Sequence, residues 1–264
     1  MYSQHFTFDT GAPAAVITRV SDSEWQAEVH GRVVGTSDVT ARPDGRLFVS
    51  VDAWHATVFD QLATAMRADL SRPLHTVVDE VETDLIAGWG RAGFVPGRRE
   101  WEYSVPTDPA VTGLDSVRAP GITIVAAGAA AEDPLRELDR AIRAEVEASF
   151  GWCDMPAEVL CRADGDTIVD PSKYAVAVRM GRYVGLIRVV QAARQPRIGL
   201  IAVLAGAQRT GVARALLAHA LGALHRDEIG PAYAEVNESN TAATALFDGI
   251  GARRVGGNLE LVLP

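Results

Sequence analysis

One junction restricts the fold more than any other feature. Ile198–Leu204 is apolar throughout and runs through Ala205-Gly206-Ala207 into Gln208-Arg209-Thr210-Gly211-Val212-Ala213-Arg214. An apolar run this short reads as a central strand of a sheet covered on both faces. The turn after it is built from small residues. Helical spacing then holds from about Thr210 to Arg226. Strand, small-residue turn and helix in that order form an anion site, because the first turn of a helix has unbonded N–H groups and the positive end of its dipole. Gly211 and Ala213 allow a diphosphate close to the backbone. The GK[ST] of a phosphate-binding loop is absent, so nucleotide hydrolysis is not indicated.

Around this junction the pattern predicts two halves with one order: strand hairpin, strand, helix, strand, helix, strand. In the first half, strands are expected at Trp25–His30, Val33–Thr40, Leu47–Val51, Leu74–Val78 and Arg98–Val105. Helices are expected where Val58, Leu62, Ala65, Met66 and Leu70 recur, and over Glu82–Ala92. Residues 107–120, with Pro109 and Pro120 and no clear period, read as a linker. The second half opens with a strand at Ile122–Ala126 and a helix over Asp133–Phe150 striped by Leu135, Leu138, Ile142 and Val146. Strands Tyr174–Met180 and Tyr183–Val190 follow, joined at Gly181-Arg182, then Ile198–Leu204. A strand at Ala232–Val236, a helix over Thr241–Ile250 and a terminal strand pair within Ala252–Leu263 complete it. The expected boundaries are 1–106, linker 107–120, and 121–264.

A second segment strengthens the first. Glu235-Val236-Asn237-Glu238-Ser239-Asn240-Thr241-Ala242-Ala243-Thr244-Ala245-Leu246-Phe247 reads as strand, Asn-rich turn and helix, with Asn240 as N-cap. Gln208-x-x-Gly211-x-Ala213 and Asn237-x-x-Asn240-x-x-Ala243-x-x-Leu246-Phe247 together resemble the two cofactor motifs of the GCN5-related N-acetyltransferase (GNAT) superfamily. The resemblance spans Ile122 to Leu263. It implies an α+β fold of two tandem GNAT-like domains, each a mixed, mostly antiparallel sheet flanked by helices, the first a degenerate copy without a CoA site.

The resemblance also implies roles. Acetyl-CoA is the expected cosubstrate, held by Ala202, Val203, Leu204, Gln208, Arg209, Thr210, Gly211, Val212, Ala213, Arg214, Asn240, Ala243 and Phe247. The backbone N–H of Leu204 is expected near the thioester oxygen, and Glu235 as a possible base. Glu145, Trp152 and Asp154 are expected at the acceptor site. Phe247 stands where many family members have a tyrosine proposed as general acid, and it has no proton to give. The implied activity is acetyl transfer to a small-molecule primary amine, of antibiotic or amino-sugar type, by direct attack in a ternary complex. The alternatives are a non-catalytic CoA-binding module and a protein N-acetyltransferase.

The first half departs from the motif. Val51-Asp52-Ala53-Trp54-His55 has no glycine, bulky Trp54 and Phe59 flank the turn, and Asp52 and Asp60 oppose a diphosphate. Asp79, Glu80, Glu82 and Asp84 read as a solvated helix start. Composition bounds the partners. A net charge of −9 argues against a nucleic-acid footprint. The first 118 residues are the acidic part, with 10 Lys/Arg against 17 Asp/Glu. Cys153 and Cys161 lack CxxC spacing, and no metal site is expected. No charged N-terminal segment precedes an apolar run, and no run approaches ~20 apolar residues. A soluble, cytoplasmic monomer or homodimer is the expectation.

Overall fold

The computed structural model describes residues 15–117, 119–149, 169–191 and 195–264. It falls into two compact units. One takes the chain to Arg99 together with Gly256–Pro264; the other is Glu100–Val255. Each half of the sequence therefore sends its last strand into the other unit.

In the first unit, β1 (Val16–Arg19), β2 (Glu24–Val29), β3 (Arg32–Ala41) and β4 (Leu47–Ala53) form an antiparallel meander. The helix α1 (Ala56–Asp69) leads to β5 (Leu74–Asp79), which lies parallel to β4 at Leu47↔Leu74 and Phe48↔His75. After α2 (Thr83–Arg91), β6 (Val95–Val105) begins in this unit and ends in the other. The last strand, β12 (Arg253–Leu263), closes the sheet against β5, with Leu263 opposite Leu74. It is one strand of 11 residues where the sequence suggests a pair. Gly256-Gly257 imposes no turn there, because the ladder with β5 starts immediately after it at Asn258. One face packs on α1 and α2 through Phe59, Leu62, Met66 and Trp89, all at most 2% exposed. Phe59 and Phe94 meet Trp89 edge-on, at 5.0 and 4.7 Å between centroids.

The second unit has the order β6-β11-β10-β9-β8-β7. Its strands are β7 (Ile122–Val125), β8 (Tyr174–Arg179), β9 (Arg182–Gln191), β10 (Pro196–Val203) and β11 (Ala232–Asn237). β8 and β9 turn at Met180 and Gly181, φ +48° and +75°. Two left-handed residues suit a two-residue hairpin, so the turn sits one residue before Gly181-Arg182. The expected linker is folded: α3 (Pro109–Thr112) starts on an Asp108 cap, and both its Thr112 and the following Leu114 are buried in this unit. Proline at its first helical position pre-sets the backbone rather than breaking it.

Two layers of helix cover this sheet. On one side α5 (Val212–Arg226) and α6 (Thr241–Asp248) bury Val212, Leu216, Leu217 and Phe247 against Ile187, Ile198, Ala234 and Val236. On the other, α4 (Glu132–Ser149) lays Leu135, Leu138 and Ile142 on Tyr174, Val176, Leu186 and Leu200. Four fully buried apolar side chains on α5 alone contribute roughly 1.5–3 kcal/mol each.

Candidate active site

The site begins where two parallel strands part. β10 and β11 pair only at Arg197↔Tyr233 and Ile198↔Ala234. The register of β10 against β9 slips between Ile198 and Leu200, so Gly199 is an extra residue. Such a bulge bends its strand and sharpens the twist. Past it, β10 follows β9 alone to Val203↔Gly185, and β11 follows β6 to Asn237↔Glu100. The sheet thus opens a wedge bounded by Leu200–Val203 and Glu235–Asn237.

At the wide end lies the turn singled out in the sequence. Arg209 and Gly211 have φ of +59° and +88°, and Gly211 is the N-cap of α5. A side chain in this left-handed region costs roughly 1–2 kcal/mol, which Gly211 avoids. The first helical bond into the turn is Ala215 N–H to the Gly211 carbonyl. Among the described residues, the N–H groups of Arg209 through Arg214 have no acceptor within the chain. They open α5 as a row of donors at the positive end of its dipole. Thr210 Oγ1 donates to the Ala207 carbonyl at 2.7 Å and Gln208 Nε2 to that of Val203 at 3.1 Å, so both side chains hold the turn's shape.

Several expected residues take other parts. The Leu204 N–H donates to the Val184 carbonyl at 3.0 Å, so it is committed to the sheet and is not at hand for a thioester oxygen. Successive N–H groups of a strand point to opposite edges, so that of Val203 is directed toward the wedge. Phe247 is 2% exposed and stacked on Tyr103, within the core rather than on a ligand surface. Ala243 gives its N–H to Asn240 Oδ1 at 3.0 Å, making Asn240 the expected N-cap. Ala202 packs on the α4 side. Glu145 accepts from the Ala205 N–H at 2.9 Å, at the entry to the turn. Trp152, Asp154, Cys153 and Cys161 lie outside the described residues.

Glu235 stands at the apex of the wedge, on the α4 side, within a polar group whose other members sequence reading missed. Its Oε2 accepts from Arg197 Nη1 at 3.0 Å. The Tyr233 hydroxyl lies 3.1 Å from its Oε1 and 2.8 Å from Oε1 of Glu102, the residue directly opposite Glu235 across the ladder. A phenol has one proton for these two carboxylates. Burial, then the charge of Glu235, push that phenol far above its ordinary value, so it stays neutral. The i, i+2 pair Tyr233 and Glu235 was a usable signal. Glu102 was not, because only the fold brings it to β11.

Residues 165–260 match the acetyltransferase (GNAT) domain family. The match is confined to this part of the chain. The chain's fold is similar to a GCN5-related N-acetyltransferase from Sphaerobacter thermophilus (18% identity, TM-score 0.62, covering 93% of this chain and 82% of that one). It is also similar to a tandem GNAT protein from the clavulanic acid biosynthesis pathway (16%, 0.63, 96% and 84%). A third likeness is to a glucosamine N-acetyltransferase region in a fungal multi-domain β-N-acetylglucosaminidase (11%, 0.60, 90% and 32%). At these identities the likeness is one of fold. No curated protein matches the chain in sequence.

Within this fold, a two-residue parallel pairing recurs at β4–β5 and β10–β11. The first copy lacks the left-handed turn that opens α5. Its matching helix starts at Ala56 on His55, whose side chain makes no cap bond, and no residue of that turn has a positive φ. Trp54 is 67% exposed there. No helix among the described residues is long and apolar enough to cross a membrane.

Proposed function

We propose that the GNAT domain is an acetyl-CoA-dependent N-acetyltransferase acting on a small-molecule primary amine by direct attack in a ternary complex. The observation that carries this is the left-handed turn Arg209–Gly211, which leaves the consecutive N–H groups through Arg214 without acceptors at the head of α5. That row suits a diphosphate. Acetyl-CoA, when bound, supplies an activated acetyl group.

The chain's own residues do the rest. Backbone N–H groups from Arg209 to Arg214 hold the diphosphate, and the Val203 N–H is the donor for developing negative charge at the wedge. Glu235 accepts the proton of the attacking amine, directly or through water. Arg197 and Tyr233 orient its carboxylate. With Phe247 in the core, no phenol of α6 protonates the departing thiolate; positioning of the two reactants supplies the acceleration instead. An amine of antibiotic or amino-sugar type suits a wedge edged by carboxylates, and the glucosamine-acetylating fungal region has this fold.

A non-catalytic CoA-binding module is the second reading, favoured by the burial of Phe247. The two part in one assay: purified protein, acetyl-CoA and a panel of amines, following free thiol. Amine-dependent thiol release supports the transferase. Acetyl-CoA binding without release from any amine overturns it in favour of the module.

A further inference from the structure

Arg188 is a charged residue where the strand pattern calls for an apolar one. It follows Leu186 and Ile187 on β9, stands opposite Tyr174 on β8 and Leu200 on β10, and faces α4. It is 7% exposed. Its Nη1 is fully enclosed without a hydrogen-bond partner, and among the described residues no acid or carbonyl pairs with any of its nitrogens. Gly199 makes room for it: a Cβ there would come within 3.0 Å of Nη1. The guanidinium therefore lies on the bulge itself, beside the point where β10 leaves β11, on the same side of the sheet as Glu235.

The surroundings do not neutralise it. Among the described residues, Asp139 on α4 is a buried acid on this side of the sheet, 2% exposed, and Arg143 spans both its oxygens at 2.7 and 3.3 Å. The hydroxyl of Tyr174, 4% exposed, also has no partner among the described residues. A buried guanidinium without a counter-charge is costly, and a well-packed apolar side chain would serve the fold better. The cost is compensated when an anion arrives. Arginine presents a planar fork that fits carboxylate or phosphate oxygens.

We infer that Arg188 binds an acidic group of the acceptor, so that the acceptor is a zwitterion with a carboxylate or phosphate close to its amine. The amine faces Glu235 while the acid reaches Arg188 over Gly199. This rests on the reading of the wedge as the acetyl-transfer site.

The test needs no knowledge of the natural acceptor. Unfolding temperature is measured for wild type, Arg188→Gln and Arg188→Lys with acetate, inorganic phosphate and N-acetylglycine, at ionic strength fixed with sodium chloride. The expected result is a rise for wild type with at least one probe, retained in part by Arg188→Lys and lost in Arg188→Gln. The probe that acts separates carboxylate from phosphate. Arg188→Gln is expected to fold, since it removes an unpaired charge, and circular dichroism checks this. No rise with any probe, or equal rises in wild type and Arg188→Gln, overturns the inference. Calorimetry with acetyl-CoA, run alongside, tests the transfer reading separately: affinity is expected to be unchanged in Arg188→Gln, whereas failure of wild type to bind acetyl-CoA sinks that reading without altering the probe result.

Discussion

The ring of Phe247 lies on that of Tyr103, with centroids 5.5 Å apart and planes 27° from parallel. Tyr103 meanwhile directs its hydroxyl to Asp248 at 3.1 Å and receives Arg254 Nε at 2.9 Å. Neither aromatic is placed to act on a thiolate. Phe247→Tyr should therefore not raise turnover. It should lower stability by about 1–3 kcal/mol if its hydroxyl stays buried without a partner. Phe247→Ala should cost about 3–5 kcal/mol. Denaturant unfolding gives both values, and a marked gain in turnover for Phe247→Tyr would mean the ring reaches the reaction centre.

Gly211 combines a backbone need with a ligand need. Gly211→Ala should cost roughly 1–2 kcal/mol of stability because of its φ of +88°. Gly211→Glu should also abolish acetyl-CoA binding by placing bulk and negative charge at the head of α5. Calorimetry decides it, and unchanged affinity in Gly211→Glu would remove the turn from the cofactor site.

Tyr233 links stability to pH with a definite sign. Its folded value is raised, by burial first and then by Glu235. The stability it contributes is complete below about pH 10, the ordinary phenol value, and is lost as pH rises above that. Tyr103 and Tyr174 are raised as well, also by burial first, so the wild type should weaken strongly in alkali. Tyr233→Phe should show a shallower loss above about pH 10. Identical slopes for the two proteins would mean the phenol is not held neutral by this cluster.

Glu235→Gln should depress turnover or shift the pH–rate profile while leaving acetyl-CoA affinity intact. It also breaks the bond between two half-buried partners, Arg197 and Glu235. Glu235→Asp keeps the charge but shortens the reach, and partial recovery of rate by that variant would distinguish base from scaffold. Full activity of Glu235→Gln with an unchanged profile would assign the proton to another group.

In the first unit, Glu260 is 6% exposed and is met by Arg46 at 3.4 Å, His75 at 2.8 Å and Arg98 at 3.0 Å. Glu260→Ala should cost about 3–5 kcal/mol, because it removes the buried acid on which these groups converge. A loss below about 1 kcal/mol in chemical denaturation would show that the group is solvated after all.

Much of this was readable along the chain because it is local. The stripe Leu135, Leu138, Ile142 and the Asn240 cap follow from spacing and side-chain chemistry over a few residues. So does the junction from Ile198–Leu204 into α5. Sequence order also revealed the duplication, since each half repeats strand, helix and strand at short range. The segment 107–120 misled, because proline suits the start of a helix as well as a linker and nothing local tells whether Leu114 finds a core.

What only the tertiary structure decided depends on residues far apart in sequence. The sequence set which strand carries Glu235; the pairing of β11 with β6 brought Glu102 opposite it, more than a hundred positions away. It showed Leu204 at the end of a strand, but which edge its N–H faces followed from the register with β9. Nothing in the sequence reading singled out Arg188; only the packing of α4 and the bulge at Gly199 left that charge enclosed without a partner. Local propensity and periodicity are written in consecutive residues, whereas register, burial and charge pairing come from the whole chain folding on itself.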